Sequence, residues 1–117
     1  MITIKGTAIK GGGYSTGWMP EYFPELFPGT LNCLVNPKDM PTLKYTTFVE
    51  TKWGKRPASL LDCKINGEEG YIILPPIGAT EVVHKEVKYA YVELAATFKI
   101  RDKFNIQDGD SVEIQIK

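Results

Sequence analysis

Four groups of residues in this chain carry side chains or backbone suited to chemistry. The first is Lys10-Gly11-Gly12-Gly13-Tyr14-Ser15-Thr16-Gly17, with four glycines between positions 11 and 17. Backbone N–H groups in such a run can approach phosphate oxygens with no side chain in the way. No Gly-Lys-Ser/Thr follows, so the run is not a P-loop, and a hairpin tip fits the spacing equally. The second is Pro28-Gly29-Thr30-Leu31-Asn32. Thr30 and Asn32, two apart on a strand, share a face. One hydroxyl and one amide oxygen can ligate Mg²⁺, whose remaining positions go to water and phosphate oxygens; a turn with two capping side chains is the plainer alternative. The third is Glu93, inside the apolar run Tyr91 to Ala96. Turned inward it could act as a base or accept a ligand hydrogen bond; turned outward it is a solvated edge carboxylate. The fourth is Lys99 with Arg101, beside Asp102 and Lys103. Cations there would suit a bound triphosphate, and a solvated short helix explains them too. Trp18, Tyr14, Tyr22 and Phe23 could stack on a ring system or simply pack. His84 has no partner in sequence.

The elements that must position these groups are strands. Ile2 and Ile4 alternate with Thr3 and Lys5, and Val112, Ile114 and Ile116 alternate with Ser111, Glu113 and Gln115. Leu31–Val35 reads as a short buried strand, and Asn36-Pro37-Lys38-Asp39 as a turn. Tyr45–Glu50 is β-branched and aromatic. The run from Ala58 to Ile65 forms a hairpin with the run from Tyr71 to Leu74 through Asn66-Gly67. Tyr89 to Phe98 fits strand better than helix. The three prolines between Pro20 and Pro28 allow at most one helical turn, and Lys99 to Phe104 reads as a second short helix. Gly78 to Lys88 reads as a mobile loop. Six or seven short strands with one or two short helices predict a mainly β fold, a small barrel or sandwich.

Composition narrows the classes. The 117 residues fit one domain spanning residues 1–117, and 43% hydrophobic with 24% charged residues is ordinary for a chain that buries a core. Fourteen basic and 14 acidic residues balance to zero. That argues against bulk binding to nucleic acid or to an acidic membrane surface. No run approaches a membrane span, and MITIKGTAIKGGG has no apolar signal core, so a cytoplasmic protein is expected. Cys33 and Cys63 lack metal-ligand spacing and are expected as buried thiols.

Two stretches, Pro28 to Leu34 (PGTLNCL) and Ile100 to Lys117 (IRDKFNIQDGDSVEIQIK), give the chain a family likeness. It resembles the archaeal CTP-dependent riboflavin kinases. In that family a glycine-rich loop follows the first strand, a G-T-L-N segment comes next, and an L-R-x-x-x-N-L-x-D-G-D segment precedes the last strand. All three occur here in that order. The resemblance implies a closed six-stranded cradle-loop β-barrel that transfers phosphate from CTP to the ribityl 5′-hydroxyl of riboflavin, giving FMN. By the same likeness, Lys10, Gly11, Gly12, Gly13, Tyr14 and Ser15 match the first nucleotide-binding loop. Phe98, Lys99, Ile100 and Arg101 match the second nucleotide-contacting segment. Thr30 and Asn32 match the Mg²⁺ ligands, and Glu93 a carboxylate that contacts the flavin. Thr80 corresponds to a flavin-contacting threonine across a loop of different length. Tyr14 and Ser15 stand where the family loop reads G-x-G-E-G, and the segment from that loop to Gly29 is shorter.

On this reading Thr30 and Asn32 hold the cation at the barrel mouth, and Glu93 orients the acceptor hydroxyl or takes its proton. A non-catalytic nucleotide- or flavin-binding module is the alternative. A DNA-binding relative is a third class, and the lack of a basic stripe counts against it. Oligomeric state is not legible.

Overall fold

The computed structural model describes residues 2–10, 20, 23–42, 48–51, 54–57, 60–73 and 81–116. The elements are β1 (Ile2–Ile9), β2 (Leu31–Val35), a 3-10 helix (Pro37–Thr42), β3 (Phe48–Thr51), β4 (Gly54–Pro57), β5 (Leu60–Ile65), β6 (Glu68–Ile73), β7 (Glu81–His84), β8 (Val87–Ala95), helix α1 (Ile100–Phe104) and β9 (Ser111–Ile116). Six strands run in the order β2-β1-β9-β5-β6-β8, and β8 pairs back onto β2, so the sheet closes on itself. Every pairing in the ring is antiparallel. Closure removes the unpaired edges that an open sheet of this size would expose. The fold is mainly β, a closed six-stranded barrel with short helical pieces, as expected.

The barrel interior is built by period-two alternation. On β9, Val112, Ile114 and Ile116 are buried, while Ser111 and Glu113 are exposed. On β1, Ile4 and Ala8 point the same way. Asn66-Gly67 makes the β5–β6 turn with positive φ at both residues, 48° and 87°. That is the geometry a two-residue hairpin loop demands, and Asn-Gly supplies it at low cost. Asn66 also fastens the turn to β9, its Oδ1 accepting from the Glu113 N–H at 2.8 Å.

Beyond β8 the chain turns across one end of the barrel. Ala96, Ile100 and Ile106 join the interior cluster, with Phe98 and Phe104 packed against it. These two rings meet edge to face with centroids 6.1 Å apart. The end where β1, β5 and β8 finish and β2, β6 and β9 begin is therefore plugged with apolar side chains.

Three features depart from the sequence reading. Residues 81–88, expected as a mobile loop, form β7, a turn at Lys85-Glu86 and the start of β8. β7 continues the sheet along the β8 edge that β6 leaves unpaired. β4 was not foreseen, because Gly54 and Pro57 bracket it; Pro57 ends a strand of a separate two-stranded sheet, where a missing N–H is tolerated. Of Tyr45–Glu50, the described strand begins at Phe48.

Candidate functional site

The oxygen-bearing residues gather where β2 meets β8. Asn32 pairs with Glu93 across the two strands, and on the other side of β2 it pairs with Ile9 of β1. Ile73 of β6 completes the row beside Glu93. Leu31, Cys33 and Val35 of β2 and Ala90, Val92 and Leu94 of β8 belong to the interior cluster. By strand alternation Asn32 and Glu93 therefore lie on the outer wall. The barrel end beneath them is filled by Ile100 and Ile106, so the site sits on the outside of the rim and not within the mouth.

Gly29 delivers Thr30 to this row. Its φ of 126° is a conformation that side chains oppose, so the residue before Thr30 is favoured as glycine. Thr30 Oγ1 lies 3.1 Å from Asn32 Oδ1 and 3.3 Å from Glu93 Oε1. Three oxygens thus converge with one hydroxyl hydrogen among them, and that hydrogen can satisfy one acceptor at a time. Asn32 is only 6% exposed, the one buried polar residue of the described core. An all-oxygen donor set with a single carboxylate fits a hard divalent cation such as Mg²⁺, which takes few protein ligands and completes its shell with water and phosphate. No group of three or more His, Cys, Asp or Glu side chains gathers among the described residues, so the thiolate and imidazole sites that suit softer metals are not found there.

The outer wall around the site is covered. Leu26 is buried against Ile73 and Ala95, with Phe23 and Tyr71 alongside. The Phe27 N–H donates to the Ala96 carbonyl at 2.8 Å and pins this segment to the end of β8. Tyr91, two residues before Glu93 on the same face, hydrogen-bonds to the Glu93 side chain. Its phenol ionises well above its ordinary range, first because it is buried and then because Glu93 is beside it. Sequence reading missed Tyr91 as a site residue; its i, i+2 spacing from Glu93 is the signal that could have found it.

The second group lies at the same end of the barrel. Lys99 is exposed at the start of α1, Ile100 is buried beneath it and Phe98 is half-buried. Lys103 Nζ lies 5.6 Å over the Phe98 ring. The Arg101 guanidinium is occupied by protein acceptors, Asp108 Oδ1 at 2.7 Å and the Ile9 carbonyl at 2.9 Å. Lys10 follows Ile9 and is exposed. Gly11, Gly12, Gly13, Tyr14, Ser15 and Thr80 lie outside the described residues. The structure therefore gathers Thr30, Asn32 and Glu93, with the root of the glycine run beside them.

These features define a class: a closed antiparallel barrel with an oxygen-donor site on its outer rim, next to a glycine-rich exit from the first strand. The profile of the CTP-dependent riboflavin kinase domain, described as a domain of unknown function (DUF120), matches residues 13–116. The chain belongs to that family. It is 32% identical over 102 residues to a riboflavin kinase of Pyrobaculum aerophilum, covering 77% of this chain and 44% of that protein. A riboflavin kinase of Archaeoglobus fulgidus is 27% identical over 143 residues, covering 98% of this chain and 54% of the relative. One of Methanobrevibacter smithii is 28% identical over 95 residues, covering 76% and 71%. The chain thus spans about half the length of the first two relatives.

Proposed function

We propose that this chain phosphorylates riboflavin to FMN, taking the phosphoryl group from a nucleoside triphosphate, CTP by the family's name, in the cytoplasm and with Mg²⁺. The convergence of the Thr30, Asn32 and Glu93 oxygens on a covered rim carries the reading. Phosphoryl transfer asks little covalent chemistry of a protein and mostly needs positioning and charge stabilisation. A barrel with few ionisable groups at its site can meet that demand.

Thr30 and Asn32 are the residues that would hold the cation. Bound there, Mg²⁺ would offset charge on the phosphates. The other roles fall to the chain itself. Lys10 to Ser15 and the segment from Phe98 to Ile100 would contact the nucleotide, and Arg101, whose guanidinium is bonded to protein acceptors, would support that segment from within the fold. Glu93, with its orientation fixed by Tyr91, would accept the proton of the acceptor hydroxyl or align that hydroxyl for attack. Thr80 would add a flavin contact.

Incubating the purified protein with riboflavin, Mg²⁺ and each of the four nucleoside triphosphates in turn tests this directly. FMN should form, fastest with CTP and not at all after chelation of the metal. If riboflavin is left unchanged with all four, the chain is not a riboflavin kinase.

A further inference from the structure

We propose that Arg101 acts as a positioning residue, whose guanidinium locks the exit of β1, and so the root of the glycine run, to α1 and the 105–110 turn. Nη2 donates to the Ile9 carbonyl at 2.9 Å and to Asp108 Oδ1 at 2.7 Å, and Nη1 donates to the Ile106 carbonyl at 3.4 Å. The three acceptors come from two chain segments, and Ile9 lies 92 residues before Arg101. An ion pair with a carboxylate as open as Asp108, 57% exposed, contributes little by itself. The two backbone carbonyls make the arrangement specific, because a planar fork holds its donors at fixed angles to fixed acceptors, whereas an ammonium on a flexible stem does not pre-orient its three.

The neighbouring backbone points the same way. The Ala8 N–H donates to the Asp110 carbonyl at 2.9 Å, and the Gly109 N–H donates to the Ala8 carbonyl at 2.7 Å. Asp110 Oδ2 accepts from the Gln107 N–H at 2.8 Å and stiffens that turn. β1 is therefore held through Ala8 and Ile9 up to its last residue, and Lys10 departs from a fixed point. Ile9 is also the register partner of Asn32. One side chain thus ties the end of β1, from which Lys10 departs, to α1, and through Ile9 to the strand that carries Asn32. Its consequence for nucleotide binding rests on the kinase reading above, whereas the mechanical claim does not.

Arg101→Lys separates positioning from direct charge contact. A cation that merely faced phosphate would be replaced well by lysine. A fork that holds three acceptors would not. Arg101→Lys and Arg101→Met should both speed hydrogen–deuterium exchange of the backbone at Ala8–Lys10 about tenfold in the ligand-free protein, as expected for losing a charge-assisted bond. Both should raise the KM for CTP by a similar factor and leave the KM for riboflavin within about twofold. Native exchange at Ala8–Lys10 in Arg101→Lys overturns the proposal, whether or not the protein makes FMN. Faster exchange in a protein that makes no FMN upholds the positioning role and removes the kinase reading alone.

Discussion

The two faces of β2 are both buried, yet they are buried by different things. Leu31, Cys33 and Val35 point into a barrel that six strands close around them, so their environment follows from the sheet itself. Asn32 and Leu34 point outward, where a strand in a free barrel would meet water, and they are 6% and 3% exposed. Outer-face burial needs a cover supplied by other parts of the chain, such as the Phe23–Phe27 segment that packs on the neighbouring Ile73 and Ala95. The inner face is apolar throughout and serves stability. The outer face holds a buried amide, a hydroxyl and a carboxylate, which no requirement of barrel packing explains. Polar groups under cover cost free energy unless they are paired, and here one hydroxyl hydrogen is shared between two acceptors. Three oxygens drawn together around one hydroxyl hydrogen, with Tyr91 also bonded to Glu93, form a geometry able to receive a cation.

The largest effect should come from attacking the inner face directly beneath the site. Leu94 is fully buried, lies between Glu93 and Ala95 on β8, and pairs with Leu31 across the barrel wall. Leu94→Ala removes buried methylenes and leaves a cavity, a change that costs about 2–5 kcal/mol. Urea unfolding should show a lower midpoint of that size, with the slope unchanged. If stability holds, the interior is looser than its burial indicates, and the contrast between the two faces fails.

Next in size is Asn32→Ala on the outer face. Partners that merely orient a metal ligand cost about 10–100-fold in affinity or activity when removed; a direct ligand should cost at least the upper end. FMN formation should fall on the order of 100-fold or more, with far-UV dichroism and the unfolding midpoint close to those of the parent protein. Glu93→Gln should lower kcat by about 100-fold, the lower end of what a positioned acid–base group contributes, with Mg²⁺ binding retained by Thr30 and Asn32. Equal losses of Mg²⁺ affinity in both variants would make Glu93 a cation ligand and not the group that handles the acceptor hydroxyl.

How much of this was legible before folding follows the same division between faces. Inner-face residues announce themselves by period-two alternation, which is why β1 and β9 could be read directly, while β2 showed as an apolar run and the β5–β6 hairpin as its Asn66-Gly67 dipeptide. Residue type and spacing marked Thr30, Asn32 and Glu93 as candidates, and the family likeness gave them roles. Their meeting was not legible, because it depends on the β2–β8 register, a pairing of residues 61 positions apart. Alternation alone leaves Glu93 equally able to face either way, and only the closed ring with Val92 and Leu94 inside decides for the outer wall. Arg101 looked like a free cation in sequence. Its partners are a backbone carbonyl on the first strand and a carboxylate in a turn, and carbonyls carry no sequence signal. β7 escaped notice for a related reason: Glu81–His84 is too short to show a period, and its place is set by the β8 edge it joins.

The smallest effect tests whether the outer cover is as tight as the inner core, with two groups from opposite faces. Cys33 is on the inner face, and burial pushes its thiol up to about 12, with the charge of Arg101 pulling slightly the other way. Tyr91 is on the outer face, and its phenol is raised above its ordinary value of 10.0, by burial first and then by Glu93. A group whose folded value lies above its unfolded one stabilises the fold below the unfolded value and loses that contribution as pH rises through the folded value. For Cys33 the window runs from 9.0 to about 12; for Tyr91 it opens at 10.0. Stability should therefore be flat with respect to these two groups through neutral pH and decline above about pH 9. At pH 8 a thiol reagent should leave Cys33 untouched until denaturant is added. Phenolate absorbance should show Tyr91 ionising after solvent-exposed tyrosines, and Tyr91→Phe should delete that late component. A Tyr91 that ionises at its ordinary value while Cys33 stays protected would mean that water reaches the outer face freely. Asn32 and Glu93 would then be surface residues, and the rim would lose the low-dielectric setting that makes its three oxygens a site.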